Sequence, residues 1–260
     1  MGGNNPDGRT DGEVKTRSDT HAHRARKLRA INSFAAGIAT DFNEILAVIM
    51  GYIELTRLDT PVNSVSRKNL DSAMNAIDRA KDMVVDILNY SRQHELERTP
   101  IPVRRILEQS LVSFKSSLPD KIKLNERIEC GDANVKANPS QIRQIVINLC
   151  TNAGQAMLEK GGVIDITLDT MVVADQDSAF SFTPLPGNYV LLKVRDSGPG
   201  MDEETIEKIF DPYFSTLEAG PGSGMGLAMV ESIVELCGGY VNVESAPGNG
   251  TEFTILLPEV

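Results

Sequence analysis

The chain has 260 residues, of which 41% are hydrophobic and 24% charged, and its formal net charge is −10 at pH 7. This composition predicts a globular protein with one large domain or two modest ones, and the negative charge excludes a nucleic-acid partner held by phosphate neutralisation. The longest apolar run, residues 45–53, is shorter than the roughly 18 residues that span a membrane. We therefore expect a cytoplasmic protein without membrane contact.

The first part of the chain predicts a tail followed by a helix. Residues 1–25 are rich in glycine, aspartate, asparagine and threonine, which indicates a disordered tail or a leftover of cloning. From residue 26 the pattern is helical, and Pro61 ends the helix. Its apolar stripe recurs in steps of three and four residues at Phe34, Ile38, Phe42, Ile45, Ile49 and Tyr52.

A second helical stretch follows a short loop and carries a similar stripe. Its members are Leu70, Ala73, Ile77, Ala80, Val84, Ile87 and Ser91. This spacing is typical of a coiled-coil seam, so residues 26–97 are predicted to form an antiparallel helical hairpin. Because one hairpin cannot bury both stripes, we expect two copies to pair as a dimeric four-helix bundle.

At the proline-containing segment 99–102 the pattern changes from long helical repeats to alternating helices and strands. This change predicts a second domain over residues 98–260. Asn138 followed by Pro139 favours a helix start. Helices are predicted at 103–117, 139–159 and 224–237, and strands at 122–129, 163–173, 189–194, 240–244 and 251–257. This order predicts an α+β domain, a two-layer sandwich in which helices cover one face of a sheet.

Two asparagines lie one turn apart on the predicted helix 139–159. Helical geometry projects Asn148 and Asn152 together along one margin of the apolar stripe. Amide oxygens suit Mg²⁺, which also keeps several waters. Without further context such a pair is more often a polar helix surface, but with the glycine-rich turns downstream it indicates a magnesium site.

Two glycine-rich turns follow. Asp196 ends a predicted strand, and its carboxylate can accept a hydrogen bond from an exocyclic amine such as that of adenine, while Gly198 and Gly200 let the backbone approach the ring. Residues 222–227 lead into a helix, so their N–H groups suit a phosphate. The Gly-Lys-Ser/Thr sequence of a P-loop is absent, and the segment 211–221 before this turn is predicted to be a mobile lid.

Five segments together resemble the N, G1, F, G2 and G3 boxes of the sensor histidine kinases of two-component systems, in that family's order and spacing. They are residues 148–153, 196–200, 209–216, 222–227 and 248–251. The resemblance covers residues 28–258 and implies a HisKA-type dimerisation domain followed by a Bergerat-fold (GHKL) ATP-binding domain. One departure lies in the lid, where Leu217 stands at a position that often carries lysine.

By this resemblance the second domain would bind ATP and Mg²⁺. Asn152, helped by Asn148, would hold Mg²⁺, and Asp196 would bind adenine. The implied nucleotide-binding residues are Asn148, Asn152, Asp196, Gly198, Gly200, Phe210, Phe214, Gly222, Gly224, Met225, Gly226, Leu227 and Thr251. The implied partners are a second copy, through the helical hairpin, and the receiver domain of a response regulator.

Residues 37–46 resemble the family's H box, except that Thr40 stands where the phosphate-accepting histidine is expected. Helical geometry predicts that Thr40 and Glu44 face solvent, opposite the apolar stripe. The resemblance implies that Asp41 is the general base and that Glu44 replaces a residue that positions water for phosphatase activity. An alcohol is a weak nucleophile at neutral pH without a strong adjacent base, whereas an imidazole is a competent one.

Three functions remain open at this point. The first is a histidine kinase core that binds Mg·ATP, with its acceptor replaced by Thr40; His94 is a poor substitute acceptor because charged and polar residues flank it. The second is a signalling pseudokinase, a nucleotide-responsive dimeric scaffold for another histidine kinase or a response regulator. The third is a hydroxyl kinase that phosphorylates Thr40 or a protein serine. Only the first predicts that Thr40→His restores activity, and only the third predicts acid-stable phosphate on the unaltered protein.

Overall fold

A computed structural model describes residues 40–93, 96–174, 184–216 and 224–260. The chain divides into two compact units after Arg92, whereas the sequence placed the boundary between residues 97 and 98. The predicted tail and His94 lie outside the described residues. Within the described ranges, no helix combines the length and the apolarity that crossing a membrane requires.

Gln93, Glu97 and Arg98 lie in the linker that follows the first unit and are hydrogen-bonded to the second unit. The side chain of Gln141 donates to the carbonyl of Gln93 at 3.1 Å, and that of Asn138 donates to the carbonyl of Glu97 at 3.0 Å. Arg98 donates to the carbonyl of Leu236. These contacts attach the linker to two helices of the second unit.

The described part of the first unit, residues 40–92, contains two antiparallel helices, α1 over residues 40–58 and α2 over Val65–Arg92. The guanidinium of Arg57 pairs with Asp71 at 2.8 Å beside the turn, and Lys81 Nζ lies 3.2 Å from the sulfur of Met50 farther along. Ser64 Oγ accepts from the backbone N–H of Arg67 at 3.1 Å and so caps the start of α2.

The described part of the predicted apolar stripe of α1 is exposed within a single chain. Exposed fractions are 52% for Phe42, 57% for Ile45, 43% for Ile49 and 70% for Tyr52. Met50 and Arg57 contact α2. One hairpin thus leaves a row of large apolar side chains in water.

Within its described residues, the second unit contains two sheets and four helices. A two-stranded antiparallel sheet pairs β1 with β3, and a five-stranded sheet has the order β2-β4-β5-β7-β6, in which β2 is parallel to β4 and all other pairs are antiparallel. The strands are β1 Thr99–Pro102, β2 Ile122–Ile128, β3 Asn134–Ala137, β4 Gly162–Val173, β5 Gly187–Asp196, β6 Tyr240–Ser245 and β7 Thr251–Pro258. The helices are α3 Val103–Lys115, α4 Pro139–Ala156, α5 Glu203–Lys208 and α6 Gly226–Leu236.

A single helical layer covers the large sheet, and the core lies between the two layers. α4 lies between α3 and α6 and packs on β4 and β5. Fully buried side chains from both layers include Leu107, Leu111, Ile142, Ile145, Leu149, Ile164, Ile166, Leu168, Met229, Ile233 and Ile255. This arrangement confirms the predicted α+β, two-layer sandwich.

α4 begins at the residue that the sequence predicts. Asn138 is the N-cap residue, and its side chain accepts from the backbone N–H of Ser140 at 3.0 Å. The side-chain oxygen of Gln141 accepts from the backbone N–H of Asn138 at 3.1 Å, which completes a capping box. The position of this start sets where the two predicted asparagines lie.

Candidate functional site

α4 presents Asn148 and Asn152 on a partly exposed margin. The side chain of Asn148 is held at both ends: its Oδ1 accepts from Gln144 Nε2 at 2.7 Å, and its Nδ2 donates to the carbonyl of Gly226 at 2.8 Å. Within the described ranges, Asn152 makes no side-chain hydrogen bond. The amide oxygen of Asn152 is therefore available to an ion, whereas that of Asn148 is already used inside the fold.

Asp196 is a buried carboxylate at the end of β5. Its side chain is 6% exposed and accepts from the backbone N–H of Gly198 at 2.8 Å. The backbone of Thr251, its register partner on β7, forms a second hydrogen bond to the carboxylate. Burial raises the pKa of the Asp196 carboxyl, and these two backbone hydrogen bonds partly offset that rise.

Two glycines pack the backbone tightly behind Asp196. Gly250 has a φ of +73°, and a Cβ there would overlap the carbonyl oxygen of Asp196. Gly200 has a φ of +68°, and a Cβ there would overlap the carbonyl oxygen of Ala246. Only glycine combines this left-handed conformation with so close an approach, so both residues fix the position of the aspartate turn.

A hydroxyl network lies beside the same turn. Ser245 Oγ donates to the carbonyl of Gly250 and accepts from the backbone N–H of Met201, both at 2.9 Å. It also lies 2.9 Å from the hydroxyl of Thr251, one of the predicted nucleotide residues. The network connects the turn after Asp196 with the β6–β7 hairpin.

The two ends of the predicted lid are joined at its base. The backbone N–H of Tyr213 donates to the carbonyl of Gly224 at 3.1 Å. Both residues are left-handed, with φ of +68° for Tyr213 and +71° for Gly224, and a Cβ on Gly224 would lie 2.6 Å from the backbone carbon of Tyr213. A left-handed tyrosine is strained, which is a common feature of functional loops.

The remaining predicted nucleotide residues lie around this base. Phe210 follows α5 and is partly buried, as is Phe214, while Met225 is buried as the N-cap of α6 and Leu227 is in its first turn. Gly222 and Leu217 fall outside the described residues. The structure shows two separate sets of contacts: one joins α4 to the start of α6 at Asn148, and the other joins the aspartate turn to β7 at Asp196.

Thr40, Asp41 and Glu44 lie on α1, in the first unit, and all three are exposed. Thr40 and Glu44 are exposed to solvent, as helical geometry predicted. Their roles in phosphate transfer stay predictions.

Three residues of the site were not identified from the sequence. Gln144 precedes Asn148 by one turn, a spacing at which amide side chains pair on a helix, so a signal was present. Ser245 and Tyr213 carry no such signal, because their roles depend on a hairpin contact and on a backbone conformation that tyrosine rarely adopts.

Two family models match the chain. The model described as His Kinase A (phospho-acceptor) domain matches residues 30–96, a span that contains Thr40. The model described as histidine kinase-, DNA gyrase B-, and HSP90-like ATPase matches residues 137–260, from the end of β3 to the end of the chain.

Sensor kinases are among the similar proteins. The sensor kinase CckA of Brucella abortus is 32% identical over 240 residues, which is 91% of this chain and 25% of that protein. The sensor histidine kinase ZraS of Klebsiella oxytoca is 30% identical over 236 residues, which is 90% of this chain and 47% of that protein. The chain thus spans half or less of the length of these relatives.

Solved structures give the same fold. The histidine kinase ThkA in complex with the response regulator protein TrrA aligns with a TM-score of 0.60 and 25% identity, covering 94% of this chain and 66% of that one. Full-length ShkA in complex with AMPPNP aligns with a TM-score of 0.63 and 23% identity, covering 87% and 45%. The ShkA likeness concerns the fold alone.

The fold and the two matched models define a two-domain protein in which a HisKA domain precedes an HATPase_c domain. More particularly, the chain belongs to the sensor histidine kinases of two-component systems, as the resemblance of its boxes indicated.

Proposed function

We propose that this chain is the core of a two-component sensor histidine kinase and binds Mg·ATP in its second unit for phosphotransfer signalling. Asp196 carries the proposal, because a buried carboxylate fixed by two backbone hydrogen bonds lies inside the domain that matches the ATPase model. An ionised carboxylate has about four acceptor positions. The Asp196 carboxylate can therefore accept a further hydrogen bond from the exocyclic amine of adenine.

The residues of α4 suit a magnesium ion. Asn152 offers an amide oxygen that is not engaged in the described fold, and amide oxygens and water are ligands that Mg²⁺ takes. The proposal assigns Asn152 to the ion. A bound Mg²⁺ would neutralise charge on the phosphates of ATP.

The triphosphate is assigned to the start of α6. This helix has 11 residues and begins at Gly226, directly after the left-handed Gly224. The first N–H groups of a helix have no partner within it, and the helix dipole favours an anion there. Gly198, Gly200, Phe210, Phe214, Gly222, Met225, Leu227 and Thr251 complete the proposed nucleotide contacts.

The proposed partners act through the first unit. The exposed row of Phe42, Ile45, Ile49 and Tyr52 is apolar surface of the kind that a second copy covers, and the matched HisKA model supports this pairing. ThkA, at 25% identity, was solved with a response regulator, which supports a receiver domain as the second partner.

Thr40 restricts what this core does with ATP. It occupies the proposed acceptor position on an exposed helix, next to Asp41 as the proposed base. A hydroxyl at this position is a poor nucleophile without a strong adjacent base. The proposal therefore includes ATP binding without self-phosphorylation on α1.

A second function is favoured by Thr40 together with Glu44. Glu44 is exposed one turn after Thr40, so neither acceptor chemistry nor an amide that would position water is available on this face. A chain that binds nucleotide but lacks both the phosphate acceptor and the water-positioning amide would act as a scaffold. Its partners would be another histidine kinase or a response regulator, with ATP controlling its conformation.

Calorimetry on Asn152→Ala tests the magnesium assignment. We expect Mg·ATP binding to weaken roughly 10–100-fold, a range typical when a metal site is damaged, while the oligomeric state stays the same. Asn125→Ala makes the same change on the exposed side of β2 and should bind as the unaltered protein does. Unchanged affinity in Asn152→Ala would refute the assignment of the ion to this residue.

A further inference from the structure

We propose that Asn148 is a positioning residue that fastens α4 to the first residue of α6, and that Gln144 sets the orientation of its amide. The inference rests on the proposed ATP site, whose phosphate-binding end it would hold in place. It assigns Asn148 to the helix rather than to the ion.

The contact is a chain of two hydrogen bonds between helices. Gln144 Nε2 donates to Asn148 Oδ1 at 2.7 Å, and Asn148 Nδ2 donates to the carbonyl of Gly226 at 2.8 Å. A Cβ on Gly226 would lie only 3.8 Å from Asn148 Cγ, so the asparagine side chain packs directly against the first turn of α6. All three residues are partly buried, which shields these bonds from water.

The contact lies at the first turn of α6. The N-cap residue of this helix is Met225, whose side chain makes no cap hydrogen bond, and the backbone before it is left-handed at Gly224. The first N–H groups of a helix have no partner within it, so a helix frays first at its ends. The bond from Asn148 to the carbonyl of Gly226 holds this turn against α4.

Gln144 is required because an asparagine amide can be turned around. If the amide of Asn148 turned by 180°, its oxygen would face the carbonyl of Gly226, and two acceptors would be in contact. The donor from Gln144 binds the oxygen and so keeps the Nδ2 group toward Gly226. Gln144 thus acts on the nucleotide site only through Asn148.

Neutral substitutions of similar size separate positioning from metal binding. We expect Asn148→Leu and Gln144→Met each to weaken ATP binding by about 5–30-fold, the effect of leaving one polar group unpaired. The loss should be the same with Mg²⁺ and with EDTA. The double variant should lose no more than either single variant, because both break one chain of bonds.

Gln109→Met is the matched control, since it makes the same change on the exposed side of α3; its affinity should equal that of the unaltered protein. The proposal is overturned if Asn148→Leu loses only the Mg²⁺-dependent part of the affinity while Gln144→Met binds normally. Asn148 would then be an ion ligand.

Hydrogen exchange without nucleotide separates this inference from the proposed function. In both variants the backbone N–H groups at residues 229–231, the first that are hydrogen-bonded within α6, should exchange about 5–30-fold faster, while those of α3 keep their rates. If the unaltered protein binds no ATP, the proposed function fails, and the exchange rates alone decide the inference. Unchanged exchange at the start of α6 overturns it.

Discussion

Asp196 is the side chain that the proposed function assigns to recognition of the base. Its carboxylate is buried and fixed by the N–H groups of Gly198 and Thr251, so it offers an acceptor in a defined direction. Adenine has an exocyclic amine to donate, whereas guanine presents a carbonyl at the corresponding ring position. A fixed acceptor of this kind rejects a ligand that lacks the donor.

We expect Asp196→Asn to lower ATP affinity roughly tenfold or more, because hydrogen bonds to charged groups contribute about 1.5–3 kcal/mol. GTP affinity should change little, so the preference for ATP over GTP should fall. Competition binding with the two nucleotides measures this ratio. An equal loss for both nucleotides would contradict the adenine contact.

The raised pKa of Asp196 predicts opposite pH effects on stability and on binding. Since burial disfavours the ionised form, the contribution of Asp196 to the free energy of unfolding is largest below the ordinary pKa of 3.8 and falls as pH rises through the raised pKa. The proposed adenine contact requires the ionised form, so ATP affinity should fall as pH drops through the same raised pKa. Affinity measured against pH should show this acidic decline in the unaltered protein and not in Asp196→Asn; the same decline in both would contradict the assignment.

Gly250 and Gly248 form a matched pair for testing the backbone behind Asp196. Both are left-handed, with φ of +73° and +84°, but a Cβ on Gly250 would overlap Asp196 whereas one on Gly248 meets nothing within 4 Å. Gly250→Ala should therefore be less stable than Gly248→Ala by about 1–3 kcal/mol, the cost of overpacking. Urea unfolding measures the difference, and equal stabilities would show that the turn relaxes freely.

At the scale of elements, the cap of α4 has two functions that one position can separate. Asn138→Ala removes the N-cap and should cost about 1 kcal/mol of unfolding free energy. Asn138→Asp keeps a good cap acceptor but loses the donor to the carbonyl of Glu97. Urea unfolding should find the aspartate variant more stable than the alanine variant, and equal stabilities would mean that the contact with Glu97, which both variants lose, dominates.

The sequence was sufficient for elements whose signals are local. The start of α4 followed from Asn138 and Pro139, and the layered fold followed from the alternation of helices and strands. The glycine boxes predicted the aspartate turn because positive φ values and close backbone approach require glycine there, as at Gly250.

Elements that depend on distant partners were not predictable. β1 contains Pro100 and Pro102, which lack the N–H of a strand interior and read as a linker; the strand forms because β3 pairs with it. The bond from Asn148 to Gly226 joins residues 78 positions apart, and the left-handed Tyr213 depends on its contact with Gly224.

At the scale of the whole molecule, we expect a dimer through the exposed row of α1. Ile45→Glu places a charge in the row of Phe42, Ile49 and Tyr52 and should convert the dimer to a monomer. Ala47→Glu places the same charge at another exposed position of α1 and should leave the dimer intact. Sedimentation equilibrium distinguishes the two, and a dimer that persists in Ile45→Glu would rule out this surface.

The central claim is that an ATP-binding histidine kinase core lacks its phosphate acceptor because Thr40 occupies that position. The most direct measurement incubates the unaltered protein and Thr40→His with Mg²⁺ and γ-labelled ATP and then treats the products with acid. We predict label on Thr40→His alone, removed by acid. Acid-stable label on the unaltered protein would contradict the claim in favour of a hydroxyl kinase, and no label on either protein while ATP still binds would contradict it in favour of a scaffold.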